Sequence, residues 1–98
     1  MKGFPTNSEL TVMSILRDSP KGLYGLQIVE RSDGAIKRGS VYVLAGRLIE
    51  KGFLSLETPK PEPGYSGLPR PLYKLTGEGA RVLKTASALG MQFAGAAT

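Results

Sequence analysis

The apolar positions of this chain fall at helical spacing over its first half and then change period. Thr6 is followed three residues later by Glu9, the spacing at which a hydroxyl caps a free backbone N–H and the carboxylate bonds back. A first helix is therefore expected to begin near Asn7. Leu10, Met13 and Leu16, with Val12 and Ile15 beside them, give it a broad inner face, and Arg17-Asp18-Ser19-Pro20 ends it. Lys21 to Gly25 reads as a turn into a short second helix over LQIVERS, with Leu26, Ile28 and Val29 facing inward and Gln27, Glu30 and Arg31 facing water. Ser32-Asp33-Gly34 closes that helix, and residues 35–39 cross to Ser40, the expected N-cap of a third. Val41, Leu44, Leu48 and Ile49 recur at helical spacing there, and Gly52 supplies the stop.

Beyond Gly52 the period shortens. Phe53, Leu54 and Leu56 alternate with polar residues as in a strand, and Pro59 to Pro71 holds five of the seven prolines and two glycines, the composition of a loop. A second strand follows over Pro71 to Thr76, with Leu72 and Lys74 on one side and Tyr73 and Leu75 on the other, so the two strands make a hairpin. Thr76-Gly77-Glu78-Gly79 enters a fourth helix, Glu78 lying near the positive end of its dipole. Ala80, Val82, Leu83, Ala86, Leu89, Met91 and Phe93 carry that helix toward the C-terminus.

The 98 residues suit one domain. With neither Cys nor His, the chain has no disulfide, thiolate or imidazole chemistry, and no metal site or cofactor is expected. Its eight carboxylates form no paired motif, and no phosphate-cradling glycine signature follows a strand, so an enzyme is not expected. No apolar run is long enough to span a bilayer, and a cytoplasmic protein without membrane partners is expected. The net charge of +5 suits a phosphate-coated partner, and the charge is uneven: Lys37 to Lys84 holds nine basic residues against four acidic ones.

Three helices, a hairpin and a final helix are the order of an α+β, mostly α, winged helix-turn-helix, with a two-stranded β wing and a C-terminal dimerisation helix. The chain moreover resembles the PadR family of bacterial transcriptional regulators. The resemblance rests on LYGLQIVERSDG, on GSVYVLAGRLIEKGFLS and on RPLYKLTGEGARVL, and covers residues 9–84. The chain departs from the family at Val41-Tyr42-Val43, where Leu-Tyr-Pro is usual, and in a wing with fewer basic residues. The resemblance implies residues 1–76 as the DNA-binding domain and 77–98 as a helical dimerisation arm of that domain, as in the short branch of the family. It also implies a small-molecule effector, apolar or phenolic, as a further partner.

The candidate DNA-binding residues are Ser40, Tyr42, Val43 and Arg47 on the third helix, Lys37 and Arg38 just before it, and Lys60, Tyr65 and Arg70 in the wing. Ser40 and Tyr42 are expected at phosphates and Arg47 at backbone or a base edge. Against this stands the reading that Tyr42 packs on the first helix, that the cations are solvated surface and that the wing is a stiff loop without a ligand. Leu83, Ala86, Leu89 and Phe93 are the candidate dimerisation residues, because a domain of this size has little interior to cover so long an apolar face. The expected function is a sequence-specific double-stranded DNA-binding regulator, a homodimeric repressor on an inverted-repeat operator. The alternative is a winged-helix module for protein interaction without specific DNA binding.

Overall fold

In a computed structural model the residues described are 3–58 and 70–90. They run α1 (Asn7–Arg17), β1 (Leu23–Tyr24), α2 (Gly25–Arg31), α3 (Arg38–Glu50), β2 (Leu54–Glu57), β3 (Leu72–Leu75) and α4 (Gly77–Ala88). α1 begins where its capping box lies: the Thr6 hydroxyl accepts the Glu9 N–H at 3.2 Å, and the Glu9 carboxylate accepts the Thr6 N–H at 2.9 Å. The helix is buried from Glu9 to Leu16, not on one inner side alone, because α2, α3, α4 and β3 all pack around it. Such an all-round position requires its polar groups to be bonded internally, and the Thr11 hydroxyl donates to the Asn7 carbonyl at 3.0 Å.

Two residues expected in a turn, Leu23 and Tyr24, form a strand. β1 and β2 both pair antiparallel with β3, giving the order β1-β3-β2 with Leu23 opposite Tyr73 and Leu56 opposite Tyr73 on the other edge. The sheet thus has three strands where two were expected. A two-residue strand has no period to read in sequence and exists only because β3 supplies its hydrogen bonds.

The second helix starts one residue earlier than expected, and its inner face is Gly25, Ile28 and Ser32, three and four residues apart. Leu26 is 42% exposed, whereas Ile28 is fully buried. The inward placing of Leu26 is therefore corrected: it stands a quarter turn from that face. The turn to α3 is held by Ser32, whose hydroxyl donates to the Val29 carbonyl at 2.7 Å and accepts the Ile36 N–H at 3.0 Å. Asp33 and Gly34 both take positive φ here, 52° and 92°, which bends the chain sharply and seats Ile36 in the core.

α3 ends in a Schellman arrangement: Gly52 has φ 82°, the Phe53 N–H donates to the Leu48 carbonyl at 2.9 Å and the Gly52 N–H to the Ile49 carbonyl at 3.0 Å. The Gly52 carbonyl then accepts the Thr76 hydroxyl at 2.7 Å, and that hydroxyl accepts the Gly79 N–H at 3.0 Å as the cap of α4. One side chain thereby joins the exit of α3 to the entry of α4. α4 runs to Ala88, with Gly90 at φ 76°, and Met91 and Phe93, to which the apolar pattern extended it, lie outside the described residues. Among the described residues no helix is long and apolar enough to cross a membrane.

Candidate nucleic-acid interface

α3 has two distinct faces. Val41, Leu44, Ala45 and Leu48 are buried, while Arg38, Gly39, Ser40, Tyr42, Val43, Gly46 and Arg47 are exposed. The side chains singled out on this helix therefore point away from the core, as a helix that enters a groove requires. Its N-terminus differs from expectation. Lys37 occupies the N-cap without a side-chain bond, Arg38 is the first helical residue and Ser40 lies in the first turn. Lys37 and Arg38 are thus part of the helix entry rather than of a crossing loop. No acidic residue stands in that turn. Two cations at the positive end of a helix dipole are mutually unfavourable in the free protein, and an anion placed there relieves both.

The charges around the fold separate into paired and unpaired groups. Lys51 pairs with Glu9, Lys74 with Glu57, Arg81 with Glu78 and Arg17 with Asp18. Lys37, Arg38 and Arg47 form no ion pair with the described residues. Among the described residues, then, no ion pair offsets the charge of these three cations.

Tyr42 is 48% exposed, and its ring lies against Gly25 of α2. A Cβ built on Gly25 would lie 2.6 Å from the Tyr42 Cε1 and 2.9 Å from its hydroxyl oxygen. Gly25 is therefore the seat of the Tyr42 ring. The same phenol acts on its neighbour Tyr73, whose hydroxyl is held above the ordinary tyrosine value, first by burial and second by Tyr42.

A substitution at Gly25 separates the seat from the fold. Gly25→Ala pushes against the far end of a half-exposed ring, so the melting temperature should move little. On the expectation that Tyr42 meets a phosphate, its displacement should weaken duplex binding about ten-fold, the worth of one hydrogen bond to a charged group. A melting curve beside a binding isotherm checks both.

Arg70, at the base of the wing, stacks its guanidinium 4.1 Å from the centroid of the Tyr24 ring. Tyr24 is the N-cap residue of α2 and its N–H donates to the Gln27 side chain at 2.9 Å. The structure so brings the wing base, the start of α2 and the Tyr42 ring together through Tyr24 and Gly25. Neither of these two residues was a sequence candidate. The signal was absent because each owes its place to a partner distant in the chain.

Lys60 and Tyr65, the other wing candidates, lie outside the described residues, as does Phe93. Of the remaining dimerisation candidates, Leu83 and Ala86 are corrected in placement: they are 1% and 0% exposed, sealed in the chain's own core where α4 packs on α1. Leu89 is the one among the described candidates that faces out, at 70% exposure.

A helix-turn-helix whose third helix is exposed along its polar face, followed by a hairpin and a closing helix, is a winged helix-turn-helix domain. No family model matches the chain, and no curated protein matches it. Among solved structures it is similar to a PadR family transcription regulator from Clostridium difficile R20291, with a TM-score of 0.71, 23% identity and 86% of each chain covered. It is similar also to a PadR-like transcription factor from Bacteroides fragilis, with a TM-score of 0.70 and 29% identity over 84% of this chain and 78% of that one. A third is the PcaV transcriptional regulator from Streptomyces coelicolor, solved in complex with its natural ligand, with a TM-score of 0.71 and 25% identity over 87% of this chain and 55% of that one. The chain has the fold of the PadR-family transcription regulators and resembles them over most of its length. The neighbours are regulators of transcription and not enzymes, which supports a DNA-binding regulator here.

Proposed function

We propose that this protein is a sequence-specific double-stranded DNA-binding regulator that acts as a homodimeric repressor on an inverted-repeat operator. The observation that carries the reading is the exposed face of α3, with Ser40, Tyr42, Val43 and Arg47 outward and Lys37 and Arg38 at the helix entry. In this reading Lys37, Arg38, Ser40 and Tyr42 grip phosphates, Arg47 reaches backbone or a base edge, and Arg70 holds the wing base against the flanking strand. Lys60 and Tyr65 extend that contact from the wing.

Two copies place their α3 helices in successive major grooves about 34 Å apart, and occupancy of the operator excludes polymerase. The chain divides into a DNA-binding part, 1–76, and an arm, 77–98, through which the copies meet. Leu89, the C-cap residue of α4, is exposed among the described residues and supports a contact there. PcaV is solved with its natural ligand, and a small-molecule effector that releases DNA is part of the proposal.

The test is selection of bound duplexes from a random pool at two salt concentrations. An inverted repeat should be enriched, its binding should fall with added salt, and Arg47→Ala should weaken it about ten-fold per half-site. No retention of any duplex at low salt would overturn the reading and leave a protein-docking module in its place.

A further inference from the structure

The four positions that surround Val43 on the helix surface, three and four residues to either side, are Gly39, Ser40, Gly46 and Arg47. Val43 is 54% exposed and stands opposite Val41, Ala45 and Leu48, which are fully buried. A single exposed valine is ordinary on a protein surface. This one occupies the centre of the face that a third helix turns to the major groove, with two of its neighbours lacking side chains.

Packing among the described residues gives no reason for those two glycines. A Cβ added at Gly39 or Gly46 would meet nothing within 4 Å, and neither has a positive φ. Gly46 in the helix interior forgoes about 1 kcal/mol relative to Ala. What the pair does provide is depth: the α3 backbone can approach an outside surface closely, leaving Val43 to reach furthest.

Resting on the reading of α3 as the DNA-contacting helix, we propose that Val43 determines sequence specificity by setting its methyl groups against the C5-methyl of a thymine in each half-site. An apolar side chain cannot read the donors and acceptors of a base edge. The feature open to it in the major groove is the thymine methyl, which the other three standard bases lack. Ser40 and Arg47 are polar and bind phosphate or a base acceptor, so the two kinds of contact fall to different residues of one face.

The experiment begins with the duplex enriched from the random pool, remade with each thymine in turn replaced by deoxyuridine, which removes the methyl and leaves pairing unchanged. Wild-type protein should lose about four-fold in affinity at one position per half-site, the worth of one buried methyl group. Val43→Ala, altered at an exposed site, should melt near the wild type and bind the thymine and uracil duplexes equally. Val43→Thr, which keeps one methyl, should retain part of the discrimination.

A flat uracil scan in a wild-type protein that still selects its sequence overturns the role of Val43 and leaves DNA binding standing. The same loss in Val43→Ala as in the wild type overturns it too. Failure to retain any duplex removes the DNA-binding reading and this proposal with it.

Discussion

Gly79→Ala is expected to cost about 3 kcal/mol of stability, at the upper end of what overpacking does in a tight interior. A Cβ on Gly79 would overlap the Phe53 carbonyl oxygen and lie 2.8 Å from the Leu75 Cδ1. The obstacle is backbone, and it cannot rotate away: the Phe53 carbonyl accepts the Thr76 N–H at 3.1 Å. Alanine's helix propensity returns about 1 kcal/mol, too little to offset the overlap. Gly46→Ala is the control, because a Cβ there meets nothing within 4 Å. The same change should raise the melting temperature at Gly46 and lower it by roughly 15 °C at Gly79. Equal shifts at the two positions would show that the close approach of α4 to Phe53 is not as described.

Lys51→Met should destabilise by a similar amount for a different reason. The Lys51 ammonium lies 2.6 Å from Oε1 of Glu9, and their side chains are 16% and 1% exposed. Among the described side-chain atoms, Oε2 of Glu9 is buried without a hydrogen-bond partner, so the ion pair is what offsets the desolvation of this carboxylate. Removing only the ammonium strands a charge in the interior, and about 3 kcal/mol is expected, the low end for a broken buried pair because Lys51 retains some solvent. Glu9→Gln in the same protein removes the stranded charge and keeps the acceptor for the Thr6 N–H. The double variant should therefore recover most of the loss in a denaturant titration. If Lys51→Met melts like the wild type, the pair contributes nothing measurable to the join between α1 and α3.

These two sites also show why part of the fold escaped a reading of the sequence. The Thr6 and Glu9 box was legible because both residues lie within one helical turn, and its geometry is the observed one. The second role of Glu9, with a partner 42 residues away, left no local trace. The same division runs through the interface. That α3 is helical and two-faced follows from the spacing of Val41, Leu44 and Leu48, and Gly52 ends it as expected. That the Tyr42 ring sits on Gly25 and that Arg70 stacks on Tyr24 could not be read, since neither pair shares a segment.

By itself the sequence determined the capping box of α1, the helix stops through Gly52, the helical and alternating periods and the order of helices and hairpin, because these depend on residues a turn or a strand apart. The tertiary structure alone decided that Leu23 and Tyr24 pair with β3, that Leu26 faces out, and that α4 spends Leu83 and Ala86 on the chain's own core while leaving Leu89 exposed. Each of those outcomes depends on which surface reaches a segment from elsewhere in the chain, and amphipathic spacing marks a face without saying what will cover it.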